Sequence, residues 1–460
     1  MYTINFEKPC RVHFIGIGGI SMSGLAEILL SRGFTVSGSD VKESELVANL
    51  RAGGVKVSIP QQASNIEDPD VVVYTAAIRP DNPELAEVQR RQIPMMSRAE
   101  LLGELMLNYR EAINVSGTHG KTTTTSMIAQ ILLEAGTDPT VTVGGMLRSI
   151  GGNIRIGHDQ NFLAEACEYT NSFLSFFPTL SVVLNVEADH LDFFRDIDDI
   201  RHSFREFICK LPQDESGFLV INGDIRDVDF FLEGLKCGYA TFGKSPEYDY
   251  AARNITYDDK ARATYELLVH GQPAGTVTLG VPGQHNVYNS LAAIAVSDRL
   301  GIDRATAIDA LRLYTGTARR FEYRGETKGA TVIDDYAHHP QEITATLKTA
   351  QMYPHKKIYV VFQPHTYSRT KALMDDFARA LILCDEVILP DIYPARETDT
   401  LGVSSGDLAK RINQIGGNAL YIPDEQKIIQ FLNDHLESGD LLITMGAGST
   451  DKLADILVSK

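Results

Sequence analysis

The sequence lacks several features, and each absence argues against a class of protein. Its five cysteines (Cys10, Cys167, Cys209, Cys237 and Cys384) are scattered and odd in number, with no Cys-x-x-Cys pair. That argues against a disulfide framework or a zinc knuckle and fits a reducing cytoplasm. There is no basic tail or lysine/arginine cluster, and the net charge is −17. Sequence-independent nucleic-acid binding rests on phosphate neutralisation, so no nucleic-acid partner is expected. The first residues, Met1-Tyr-Thr-Ile-Asn-Phe-Glu-Lys8, hold no apolar signal core. The most apolar stretch, residues 173–186, is interrupted by Ser175, Pro178, Thr179, Ser181 and Asn185. A bilayer span needs about 20 mostly apolar residues. The expectation is a soluble, cytoplasmic protein without membrane insertion; oligomeric state has no signature here.

What is present suffices for large cores: 43% of 460 residues are hydrophobic and 22% charged. At about 100–200 residues per domain, the length implies roughly three domains. Apolar strand-like runs alternate with helical patterns, which predicts an α/β fold on largely parallel sheets. The expected units are a Rossmann-like domain over 1–108, a central phosphate-loop ATPase-like domain over 109–316 and a Rossmann-like carboxyl-terminal domain over 317–460.

The most informative run is Val115-Ser-Gly-Thr-His-Gly-Lys-Thr-Thr-Thr-Thr125. Residues 112–115 read as a buried strand end and 123–135 as a helix whose amino end faces an anion. Gly117 and Gly120 let the backbone approach phosphate, Lys121 supplies a cation, and Thr122 offers a hydroxyl to magnesium. The usual phosphate loop has a glycine where Val115 stands, so the loop is a shortened one. A ligand-free Gly/Thr turn is the alternative reading.

The first unit has a strand at 11–15, then Gly16-Ile-Gly-Gly19, a helix over 22–32, and a second strand ending at Asp40. This predicts a diphosphate against backbone N–H groups at a helix start. Ser21 replaces the third fingerprint glycine, so a nicotinamide dinucleotide and another nucleotide diphosphate both remain open. A packing turn is the alternative without ligand. In the second unit Glu165 ends a strand, and Glu187-Ala-Asp-His190 follows another. Thr122 and Glu165 offer the oxygen donors magnesium prefers, and His190 is an acceptable third. Spacing leaves Glu168 and Asp189 as rival ligands and a capping role open for His190. Arg319-Arg-Phe-Glu322 sits at a domain boundary, where an arginine reaches a terminal phosphate or forms an interdomain ion pair. In the third unit four strand ends run into Asp334-Asp-Tyr-Ala-His-His-Pro340, Gln363-Pro-His-Thr-Tyr-Ser-Arg369, Pro390-Asp-Ile-Tyr-Pro-Ala-Arg-Glu397 and Met445-Gly-Ala-Gly-Ser449. Such exits gather ligands in parallel sheets.

In this order the motifs resemble those of the Mur ligases of peptidoglycan synthesis, over nearly the whole chain. The resemblance is carried by Gly16-Ile-Gly-Gly-Ile-Ser-Met-Ser-Gly24, Ser37-Gly-Ser-Asp40, Tyr74-Thr-Ala-Ala-Ile78, Gly117-Thr-His-Gly-Lys-Thr122, Asn185-Val-Glu-Ala-Asp-His190, Gly283-Gln-His-Asn286, Asn289, Arg319-Arg-Phe-Glu322, Asp334-Asp-Tyr-Ala-His-His-Pro340 and Phe362-Gln-Pro-His365. It implies an enzyme using ATP and Mg²⁺ to join L-alanine to the carboxylate of UDP-N-acetylmuramate. By resemblance Gly16, Gly18, Gly19, Ser21, Met22, Ser23 and Asp40 face the UDP-sugar. ATP would meet Gly117, Thr118, His119, Gly120, Lys121, Thr122, Thr123, Asn286, Asn289, Arg320 and Asp335. Thr122, Glu165 and His190 would hold magnesium, while His338, His365 and Arg369 lie near the amino acid. Lys121, Glu165, His190, Arg320, His338 and Arg369 are the expected catalytic set. Two departures stand out: Thr366 where many relatives have arginine, and Cys167 where aspartate is commoner. The alternatives are a recycling ligase that adds a preformed tripeptide, an NAD-dependent oxidoreductase, and a nucleotide-binding regulator without catalysis.

Overall fold

Three sheets organise the chain. The computed structural model describes residues 2–459 except Ala76, Asp192 and Arg396. Ala76 in the 74–78 run and Arg396 in the 390–397 strand exit therefore lie outside the described residues.

The first sheet has five parallel strands in the order Lys56–Ser58, Thr35–Ser39, Arg11–Ile15, Val71–Tyr74, Met95–Ser97. The order reverses beside Arg11–Ile15, and such switch points open a crevice beyond the strand ends. Gly16 sits there at φ 83°, and a side chain on it would lie 2.6 Å from Thr75 Cγ2.

The ten-stranded central sheet places Glu111–Ser116 between Leu180–Val183 and Asn161–Ala166, all parallel. Outward from Leu180–Val183 run Phe218–Asn222, Gly238–Gly243, Tyr250–Tyr257, Arg262–Val269 and Gln272–Pro282, the last three antiparallel. On the other side Thr140–Leu147 pairs with Asn161–Ala166, and Gly152–Arg155 forms a hairpin with it. The sequence reading had not placed that hairpin.

The third sheet has the order Glu322–Thr327, Ala330–Asp335, Leu441–Met445, Ile358–Phe362, Glu386–Leu389, Ala419–Tyr421. Only Glu322–Thr327 runs antiparallel. Its two central strands, Leu441–Met445 and Ile-Tyr-Val-Val-Phe at 358–362, are buried along their whole length. A sheet covered on both faces by helices demands such continuous apolar runs.

The cores do not divide as the sheets do. Val12, Phe14 and Leu101 of the first module share one buried cluster with Phe162, Phe173, Phe204 and Phe207 of the second. Two glycines make the contact close. A side chain on Gly24 would meet Ile154 Cδ1 at 1.6 Å, and one on Gly103 would meet the Ser175 carbonyl oxygen at 2.0 Å. The third module has its own clusters, one around Phe362 and Phe377 and one around Val361 and Leu442. Among the described residues no helix is long and apolar enough to cross a membrane.

Candidate active site

The phosphate loop leaves the central strand Glu111–Ser116 and enters the helix Lys121–Glu134. The helix was expected from residue 123; it begins at Lys121, because Gly120 at φ 85° turns the chain into it. Lys121 and Thr122 are thus its first residues, at the positive end of the helix dipole. The loop lies on the exit of Leu180–Val183: Thr118 N–H donates to the Asn185 carbonyl (3.2 Å), and His119 N–H to Asn185 Oδ1 (2.8 Å). Asn185 Nδ2 answers to the His119 carbonyl at 3.0 Å.

Lys121 Nζ donates to the Gly117 and Thr118 carbonyls and lies 2.9 Å from Glu168 Oε2. Burial opposes its charge, but Glu168 outweighs burial and its pKa is raised. Thr122 Oγ1 is 3.2 Å from Glu165 Oε2 and 3.4 Å from Arg320 Nη2. Glu165 also accepts from Gly144 N–H at 2.5 Å, and burial pushes its pKa up. His190, at φ 53°, stands beside Glu168, its Nε2 3.8 Å from Glu168 Oε1, with its ring 4.5 Å from that of Tyr169. The hydroxyl and carboxylate of Thr122 and Glu165 form a hard oxygen pair beside the loop. That suits Mg²⁺, which takes one or two protein oxygens and completes its shell with water and phosphate. Among the described residues no three His, Cys, Asp or Glu side chains converge to hold a metal unaided.

Asn286 and Asn289 open the helix His285–Arg299 against the loop. Asn289 Nδ2 donates to Asn286 Oδ1 at 2.9 Å, and a side chain on Gly120 would lie 2.9 Å from Asn289 Oδ1. Asp335 ends a strand of the third sheet and accepts from the N–H groups of Phe321 and Ala337 and from Thr346 Oγ1. Burial pushes its carboxyl up to about 6.

The boundary arginines divide their work. Thr317 and Ala318 are pinned to the central module, by Ser126 Oγ (2.9 Å) and the Met146 carbonyl (3.0 Å). Arg319 belongs to the third: it pairs with Asp334 at 2.9 Å and donates to the Gly446 carbonyl at 2.7 Å. Arg320 turns back to Thr122. The ion pair that Arg319 forms lies within its own module rather than between modules, and Arg320 comes within 3.4 Å of Thr122 in the phosphate loop.

In the first module Gly16 and Ile17 donate to the Ser39 carbonyl, and Gly18 N–H donates to Asp40 Oδ2 at 2.8 Å. Asp40 therefore closes the glycine turn. Gly19 caps the helix Ile20–Ser31. Met22 and Ser23 are buried, so they can offer an anion only backbone; Ser21 Oγ instead accepts from Arg98 at 3.1 Å. The sequence reading missed Arg98. Burial lowers its pKa, and it faces the glycine turn from the first turn of the helix Arg98–Met106. The Ser97–Glu100 capping box, legible as Ser-x-x-Glu, marks that position.

His338, His365 and Arg369 do come together. The His338 and His365 rings are 6.0 Å apart, and Arg369 Nη1 is 3.4 Å from His365 Nδ1. Arg369 also reaches Asp189 of the central module at 3.4 Å. Burial lowers the pKa of His338 and holds His365 at about 4, so both imidazoles are neutral at pH 7.

A nucleotide-type phosphate loop thus meets the histidine turn of the third module through His119, while the glycine-turn module packs on the central one, which defines a three-module α/β nucleotide-dependent enzyme. Three family descriptions match consecutive segments: Mur ligase family, catalytic domain (residues 11–110), Mur ligase middle domain (115–297) and Mur ligase, glutamate ligase domain (319–448). The chain is 57% identical to the UDP-N-acetylmuramate–L-alanine ligase of Lachnospira eligens and 54% to that of Agathobacter rectalis, each over 100% of both chains. The crystal structure of a UDP-N-acetylmuramate-alanine ligase from Thermotoga maritima covers 98% of both chains at 30% identity and a TM-score of 0.80. The chain belongs to the Mur ligase family.

Proposed function

We propose that the protein is an ATP-dependent ligase that forms the amide between L-alanine and the carboxylate of UDP-N-acetylmuramate. The observation that carries this reading is full-length likeness to ligases of that specificity, with the phosphate loop facing the His338/His365/Arg369 cluster.

A carboxylate is a poor electrophile. It first attacks the γ-phosphorus of ATP, releasing ADP and leaving an acyl phosphate. The neutral amine of L-alanine then attacks the acyl carbon, and the tetrahedral intermediate expels phosphate. Lys121, Arg320 and the loop amides stabilise charge on the transferring phosphoryl group. Mg²⁺, held by Thr122 and Glu165 with His190 nearby, would neutralise phosphate charge when bound. Asn286, Asn289 and Asp335 take the nucleoside. The Gly16–Gly19 turn, with Ser21 and Arg98, takes the diphosphate of the UDP-sugar. Arg369 and His365 orient the amino-acid carboxylate, and neutral His338 is placed to accept the amine's proton.

ADP release by the purified protein with ATP, Mg²⁺ and UDP-N-acetylmuramate, supplying one amino acid at a time, tests this. L-Alanine should drive release, with one amide formed per ADP. Preference for a tripeptide acceptor would move the protein to the recycling reaction. Nicotinamide absorbance changes without ATP would overturn ligation altogether.

A further inference from the structure

The phosphate loop carries one side chain that its cradle does not use. The backbone of His119 is tied to Asn185, and its ring points into the junction with the third module. There its Nδ1 is 3.3 Å from Glu342 Oε1 and its Nε2 3.5 Å from Glu187 Oε2. The His339 ring packs on it at 4.9 Å. Burial opposes a charge on His119, but Glu342 and Glu187 outweigh burial and raise its pKa. His339, pushed to about 4 by burial, stays neutral against it. Glu342 is held well below the usual carboxylate range despite burial, by His338, His119 and Arg320.

Glu342 has a partner at each end, an ion-pair neighbour on one side and hydrogen bonds on the other. One oxygen faces His119; the other accepts the N–H groups of His338 (3.0 Å) and His339 (3.2 Å). It thereby fixes the turn that opens the helix Pro340–Ala350 and carries His338. A single carboxylate spans the phosphate loop of the central module and the histidine turn of the third.

From this geometry we infer that His119 and Glu342 form a latch that makes productive ATP use conditional on docking of the third module. The inference rests on the ligase reading above. Both are positioning residues. With the latch closed, the loop and the amine-binding turn are set together, and the acyl phosphate forms where the amine can meet it. With the latch open, acyl phosphate forms beside an undocked module, and water takes it.

The test counts ADP against amide product in the wild type, His119→Asn, Glu342→Gln and the double variant, with melting curves for each. Glutamine at the third helical position still closes a capping box, so Glu342→Gln removes charge while keeping the helix start. His119→Asn leaves that cap untouched, so a failure of one variant to fold leaves the other as the test. The wild type should form one amide per ADP. Each variant should release ~2 or more ADP per amide and show an L-alanine KM raised about tenfold, within the usual range for coupled sites. The double variant should be no worse than either single one. Variants that keep the one-to-one ratio and an unchanged KM, or whose effects multiply, overturn the latch. A wild type that makes no ADP overturns the ligase reading, and the latch with it.

Discussion

Lys121 shows how much of the chemistry a few residues carry. Its ammonium, bound to Glu168 and two loop carbonyls, is the cation nearest the phosphate cradle. Lys121→Ala should lower amide formation at least ~100-fold, the scale of losing one preorganised charge. UDP-sugar binding, measured by calorimetry, should be retained, because Gly16 and Asp40 lie in another module. Equal loss of both in a folded variant would contradict that division. Asp335 gives the pH dependence. With its pKa pushed up to about 6, it is ionised at pH 7 and gains a proton as pH falls through 6. The ATP KM should therefore rise below pH 6, and Asp335→Asn should flatten that limb. The same shift favours the protonated fold, so its contribution to stability is largest below pH 4 and fades as pH rises through 6. Lys121 was legible from the phosphate-loop pattern and Gly16 from its glycine turn, whereas the role expected of Asp335 came from the family resemblance. Arg98 was not legible, because its contact with Ser21 depends on how two helices of the first module pack, and the His119–Glu342 contact was not, because it depends on which modules meet.

The strand at 11–15 and the strand ends before Asp334, Gln363, Pro390 and Met445 were legible as apolar runs leading into turn residues. The hairpin Thr140–Leu147 with Gly152–Arg155 was not, for its residues are mixed and its edge position relaxes the pattern. That hairpin nonetheless supplies Gly144 to Glu165 and packs Ile154 on Gly24. Gly103 was invisible as a packing residue, since a glycine inside a helix says nothing of what lies against it. With the Ser175 carbonyl 2.0 Å from where a side chain would stand, Gly103→Ala must push two elements apart. It should cost about 1–3 kcal/mol, read as a lower melting temperature. An unchanged melt would mean the helix Arg98–Met106 has room to shift.

At the scale of the whole molecule, the three modules are joined unequally. The first two share one buried cluster, the second has a further cluster of its own around Val115 and Leu291, and the third keeps its clusters to itself. Calorimetry without ligands should resolve two transitions, one for residues up to 318 and one for the remainder. A single transition, or three, would be at odds with the shared core. The boundary expected at 316 rests on Thr315–Arg320 being polar between two patterned regions; in the structure the chain's ties change from Met146 to Asp334 between Ala318 and Arg319. That the first two of the three units share a buried cluster could not be read from a sequence whose strands and helices repeat alike in each.

The chain crosses from the second module to the third between Ala318, held by Met146, and Arg319, held by Asp334. A rotating arm moves its tip far and its root hardly at all. Were the third module to turn about that crossing, Arg320, next to it, would barely shift from Thr122. On the proposed reading ATP would stay gripped while the amino acid comes and goes.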